Sequence, residues 1–158
     1  MSALHFGAAF CSCISLLCLL SALASDYWVA DSTHHLGLWK LCNLRACYPL
    51  GVELVSASLH AIRTFMFLGM IAGAVSLGGL CVMTRQPSLG KISMSRITCI
   101  ASFTAGLCIM IAMSISTADI SSTKFYGWSF IVGWASFPLY FLTGCLTYIL
   151  HKNTTTTA

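Results

Sequence analysis

WVADSTHHLGLWKLCNLRAC, residues 28–47, contains Trp28, the triplet Gly37-Leu38-Trp39 and the close pair Cys42 and Cys47. An apolar segment directly precedes it and three more follow. Tryptophans are large and amphipathic, so two of them beside a cysteine pair are costly to leave loose in water. The arrangement reads as a stapled loop outside a small four-helix membrane protein.

Composition supports the membrane half of that reading. The 158 residues are 58% hydrophobic and 8% charged, with a mean hydropathy of +0.86. Soluble domains carry about 25% charged residues. Length allows one domain. Four stretches without charge, Leu4–Ala24, Thr64–Thr84, Ile97–Ala118 and Phe125–Leu150, reach the roughly 20 apolar residues that a helical span needs. The net charge of +4 comes from scattered loop residues with no basic run, so it is no signal for nucleic acid.

The basic residues suggest an orientation. Arg85, Lys91 and Arg96 lie between spans two and three, and Lys152 follows span four, with no acid beside them. The acids Asp26, Asp31, Glu53 and Asp119 share the other two loops with Lys40, Arg45, Arg63 and Lys124. Basic residues favour the cytoplasmic side. Both termini and the tail 151–158 are therefore expected in the cytoplasm, and the loop 25–63 outside. Ala22-Leu23-Ala24-Ser25 resembles a signal-peptidase site, but the apolar stretch before it is long and lacks a basic start, so a retained first helix is expected.

Within the outer loop, Leu36–Leu41 and Val52–Leu59 read as short strands. Cys42 and Cys47 are the only pair in the oxidising compartment and enclose four residues. Such a short disulfide loop stabilises by about 2 kcal/mol in the chain-entropy model. The other cysteines, Cys11, Cys13, Cys18, Cys81, Cys99, Cys108 and Cys145, lie in or near spans and read as small packing residues. Cys81, near a span end, is also open to lipidation. His34 and His35 are imaginable metal partners for the cysteine pair, but zinc needs more ligands at suitable spacing, and no metal is expected.

Gly69 and Gly73 form a GxxxG pair that suits an internal helix-packing face. Pro138 is placed to kink span four. The loop Arg85–Arg96, with Pro87 and Gly90, makes spans two and three antiparallel neighbours, and the loop near Ala118–Lys124 is very short. The threonine tract of the tail reads as disordered. Its sequon at Asn153 is expected to stay unglycosylated, being cytoplasmic. Tyr27, Trp28, Phe125, Tyr126 and Trp128 form an aromatic belt at the outer boundary, with Tyr148 near the inner one. Arg63 reads either as an interfacial, snorkelling arginine or as the partner of an acid such as Asp26 or Glu53. No span carries an ionisable cluster for catalysis or proton transfer. No enzyme activity, cofactor or small-molecule substrate is expected.

Trp28, Gly37-Leu38-Trp39, Cys42 and Cys47 match the W…GLW…C…C first-loop signature, and the chain resembles the claudin, peripheral myelin protein and epithelial membrane protein superfamily over almost its whole length. Within it the chain is most similar to the lens fiber membrane intrinsic protein branch. That likeness rests on Gly37 to Cys42, Arg63-Thr64-Phe65-Met66, Gln86-Pro87-Ser88 with Ile92-Ser93, and Trp128-Ser129-Phe130-Ile131-Val132-Gly133-Trp134. The second outer loop is shorter than in that branch, and the ending at Ala158 lacks a scaffold-binding apolar terminus, which argues against tight-junction scaffolding of that kind.

The resemblance implies an all-α membrane fold, a left-handed four-transmembrane-helix bundle with a small outer β-sheet. Cys42–Cys47 would staple the sheet, and Trp28 with Trp39 would seat it on the bundle. The expected function is cell–cell adhesion or junction organisation at the plasma membrane, with Leu44, Arg45, Tyr48 and Pro49 as the contact surface. The alternatives are an accessory subunit of another membrane protein and a paracellular or membrane pore. The expected partners are the lipid bilayer and a further copy or a different membrane protein.

Overall fold

The computed structural model describes residues 3–85, 91–120 and 125–157. Among these, four helices are long and apolar enough to cross a membrane: α1 Ala3–Ala24, α2 Ala57–Arg85, α3 Lys91–Asp119 and α4 Trp128–Thr157. Consecutive helices pack side by side, as do α1 and α4, while the α1–α2 seam is the thinnest. The strands β1 Val29–Ala30, β2 His34–Leu36, β3 Lys40–Asn43, β4 Cys47–Pro49 and β5 Phe125–Tyr126 form one antiparallel sheet in the order β4-β3-β2-β1-β5. The sheet lies at the end of the bundle where α1 and α3 finish and α2 and α4 begin. The chain is thus a tetraspan, integral membrane protein with a sheet on one end.

Helices in lipid gain little from hiding apolar surface from one another, so close approach and polar matching decide their packing. Gly69 lies against Ile109 and Ala105 of α3, and Gly133 of α4 lies against Met113. Leu19, Met66, Ile109, Met113 and Tyr140 are completely buried at the centre. A smaller cluster of Ala8, Leu80 and Met83 closes the other end. Four of the buried hydroxyls are held locally: Ser15, Ser102, Ser116 and Thr147 each donate to the carbonyl four residues earlier. Ser76 and Ser102 also meet across α2 and α3 at 2.6 Å.

Several element boundaries differ from the sequence expectation. Val52–Leu54 is a 3-10 turn rather than a strand, and α2 starts at Ala57, well before Thr64. The Ser56 hydroxyl accepts the Leu59 N–H at 3.4 Å, a helix-capping contact that sets this early start. The stretch Leu36–Leu41 is not one strand: Gly37, Leu38 and Trp39 turn the chain between β2 and β3, closed by Gly37 N–H to the Lys40 carbonyl at 2.9 Å. Phe125 and Tyr126 pair with β1 instead of opening the fourth helix. A Cβ on Gly127 would overlap the Tyr27 carbonyl, so only glycine lets α4 begin this close to β1.

Pro138 sits within α4 without ending it. The tail threonines are helical as far as Thr157, not disordered. The hydroxyls of Thr154, Thr155, Thr156 and Thr157 each donate to the carbonyl four residues back, which satisfies them within the helix. The residues around Pro87, with Gln86, Ser88 and Gly90, and the second loop's Lys124 lie outside the described residues.

Candidate functional site

The last carbonyls of a helix have no partner within it. Two indoles meet this need at the end of α1. Trp28 Nε1 donates to the Ala22 carbonyl at 2.7 Å, and Trp39 Nε1 donates to the Leu23 carbonyl at 2.9 Å. Trp28 is buried and meets Phe130 of α4 edge-on, with ring centroids 6.3 Å apart. The sheet is therefore pinned to the first helix by Trp28, just before β1, and by Trp39, in the turn between β2 and β3.

Arg63 completes the attachment in a way neither sequence reading anticipated. It is buried, and its guanidinium neither snorkels nor pairs with an acid. Nε donates to the Leu38 carbonyl at 2.9 Å, and Nη2 donates to the same oxygen. Its Cζ lies 4.6 Å from the Trp39 ring centroid, and Phe67, one turn along α2, meets Trp39 edge-on at 5.9 Å. The early start of α2 is the missed signal, because it places Arg63 and Phe67 on one helical face beneath the Gly37-Leu38-Trp39 turn. Leu38 is itself buried, and a Cβ on Gly37 would overlap the Asp26 backbone.

Cys42 and Cys47 are bonded across β3 and β4, directly opposite each other in the ladder. Cys42 is buried and Cys47 exposed. Asn43 Oδ1 accepts the N–H groups of Arg45 and Ala46 at 3.0 and 2.9 Å, a side-chain turn that shapes the hairpin tip. Leu44, Arg45, Tyr48 and Pro49 are all exposed, Leu44 at 81%. Replacing both cysteines by serine is expected to lower stability by about 2 kcal/mol. Thermal unfolding of the detergent-solubilised chain checks this. An unchanged midpoint would mean that the ladder and the Asn43 turn hold the hairpin alone.

Pairing register divides the sheet into two faces. Ala30, His35, Cys42 and Cys47 line one row, and Val29, Leu36, Leu41 and Tyr48 the other. His35 stacks on Tyr27 with centroids 4.4 Å apart. The ligand atoms of His35, Cys42 and Cys47 lie within 4.8 Å of one another. A metal binds thiolate, and the disulfide leaves none, so the imidazole is the single donor there. His34 pairs with Asn43 and lies on the opposite face.

On the apolar row's side, a cavity of about 140 Å³ opens between the sheet and the ends of α2 and α3, lined by Leu36, Leu59, Ile62, Asp119 and Ile120 among others. A second hollow of about 330 Å³ shares Val29 and Leu36 with it and is lined further by Asp31, His34 and Leu41. Gly69 and Gly73 are buried inside the bundle, against α3 and α4 respectively.

The family model described as "PMP-22/EMP/MP20/Claudin family" matches residues 1–147. Protein NKG7 of Mus musculus is 31% identical over 93% of this chain and 91% of its own length. Lens fiber membrane intrinsic protein of Homo sapiens is 30% identical over 87% of the chain and 86% of its own. Epithelial membrane protein 2 of Danio rerio is 28% identical over 88% and 91%.

Proposed function

The chain belongs to the PMP-22/EMP/MP20/Claudin family, and from that premise we propose that it is a non-enzymatic protein of cell–cell adhesion or junction organisation, acting through its first loop. In this reading the sheet faces the cell exterior, both termini are cytoplasmic, and the protein resides at plasma-membrane contacts. One observation carries it: the sheet is fastened to the bundle by Trp28, Trp39 and Arg63, while the stapled hairpin presents Leu44, 81% exposed, with Arg45, Tyr48 and Pro49. A rigid platform with an apolar tip suits contact with another protein, because little ordering is needed on binding.

Non-adherent cells expressing the chain are expected to aggregate and to concentrate it at their contacts. Dispersed cells with an even surface distribution would count against the reading. Lateral association is a second reading, supported by the thin α1–α2 seam. There an open apolar groove is lined by Leu16, Leu20, Met70, Ile71, Ala74 and Val75, a shape that suits a helix of another membrane protein. Copurification of a stoichiometric partner in mild detergent supports that role. A pore lined by this face of the sheet is less well supported, since its row of Val29, Leu36, Leu41 and Tyr48 is apolar.

A further inference from the structure

The proposed adhesive role leaves open what the exposed hairpin tip meets. Leu44 is the most exposed of the large apolar side chains described, followed by Val52 at 76% and Phe125 at 73%. Two adjoining hollows on the apolar row's side make up a groove lined mainly by apolar residues, with Asp119 in the first and Asp31 and His34 in the second as the ionisable ones among their described lining. Val29 and Leu36 line both hollows, Leu59 and Ile120 line the first beside Asp119, and Asp31 lines the second, with both aspartates exposed. Of the groove's lining from α2 and α3, Leu59, Ile62 and Asp119 lie outside the uncharged stretches 64–84 and 97–118 and Ser116 lies in the last turn of the second, so it opens at the sheet end of the apolar part of the bundle.

Charge selects among the protruding residues. Leu44 is followed by Arg45, which complements an acidic rim. Val52 is followed by Glu53, which would meet Asp119 and Asp31 as a like charge. Phe125 lies on a strand paired with β1, not at a hairpin tip. Leu44 does not fill the groove of its own molecule, as its exposure shows, and the sheet that carries both features is stapled and pinned. A second copy of the chain brings the same acidic groove to the same basic, apolar tip.

We propose that the tip of one molecule seats in the groove of a second copy across facing membranes, Leu44 entering between Leu36, Leu59 and Ile120 while Arg45 lies opposite Asp119 and Asp31. The contact is heterologous, with different patches on the two partners, so each molecule offers one tip and one groove and contacts can propagate in rows. A single buried leucine with a rim ion pair is weak. Many copies on opposed surfaces add avidity. The inference rests on the adhesion reading, and the test separates the two.

The full-length chain is reconstituted into two differently labelled vesicle populations, and vesicle pairing is measured. Wild-type vesicles are expected to pair. Arg45→Glu vesicles, and vesicles carrying Asp31→Lys with Asp119→Lys, are each expected to lose at least tenfold of self-pairing. Mixing these two variant populations is expected to restore pairing, because the unaltered Arg45 tip of the rim variant then meets the unaltered acidic rim of the Arg45→Glu variant, and the reversed tip meets the reversed rim. That recovery also shows that both variants are folded. Wild-type pairing that persists undiminished in Arg45→Glu, or variants that stay unpaired when mixed, overturns this contact and leaves adhesion standing. Wild-type vesicles that never pair overturn the adhesion reading and this contact with it.

Discussion

Arg63→Met is expected to release the sheet from the bundle at the cost of about 2–4 kcal/mol. Methionine keeps the length and the apolar stem, so the change isolates the guanidinium. Two terms oppose folding of the variant. The Leu38 carbonyl, on a residue 2% exposed, loses both of its side-chain donors. An unpaired buried acceptor costs about 1–3 kcal/mol. The cation over the Trp39 ring at 4.6 Å is lost as well, a contribution of roughly 0.5–2 kcal/mol. One term works the other way, since the variant no longer buries a charge. That relief is partial here, because the guanidinium already donates to a carbonyl and faces an indole. Near-ultraviolet circular dichroism during thermal unfolding follows Trp28 and Trp39 once Trp128 and Trp134 of α4 are replaced by phenylalanine in the parent and variant alike. The tryptophan signal should melt early while the far-ultraviolet helix signal persists. Coincident, unshifted transitions would refute the clamp. Arg63→Lys should fall between, having a single ammonium where the arginine presents a fork.

The bundle was legible in the sequence for a plain reason: four uncharged runs of spanning length leave few other folds in a bilayer. The stapled loop was legible because Trp28, Gly37-Leu38-Trp39, Cys42 and Cys47 are rigid or reactive residue types in a fixed order. What escaped was nonlocal. Phe125 and Tyr126 continue an apolar run and so read as the start of a span, but their backbone is claimed by β1, whose residues lie far earlier in the chain. Arg63 read as interfacial because its partner is a backbone carbonyl, which carries no residue-type signal. Helix ends were misplaced because hydropathy marks where lipid stops, whereas hydrogen bonding decides where a helix stops. Ser56 caps α2 ahead of its apolar window, and α4 runs on past its own through the tail threonines, whose hydroxyls bond within the helix. The apolar groove also depends on fold, since Leu36, Leu59 and Ile120 come from three separate elements.

Gly73→Ala is expected to destabilise the bundle by about 1–3 kcal/mol, the range for forcing extra volume into a packed core. The added Cβ would overlap the Tyr140 hydroxyl and lie 2.6 Å from its ring carbon Cζ, and Tyr140 is completely buried. Helix propensity pulls the other way, since alanine is favoured over glycine in a helix interior by about 1 kcal/mol. The clash should win, because a rigid ring fixed on α4 cannot yield without moving the helix. Gly78 gives the control on the same helix: a Cβ there meets nothing within 4 Å, so Gly78→Ala should be neutral or slightly stabilising. Tyr140→Phe tests the mechanism further. The hydroxyl has no hydrogen-bond partner among the described residues, so removing it should cost little. In the Gly73→Ala background it should recover part of the loss, since the oxygen overlap disappears while the close ring carbon remains. A double-mutant cycle by thermal unfolding in detergent reads this coupling. A Gly73→Ala protein as stable as Gly78→Ala, or no coupling with Tyr140→Phe, would mean that α2 and α4 do not meet at this contact. The glycine pair would then be free to act at a lipid-facing surface.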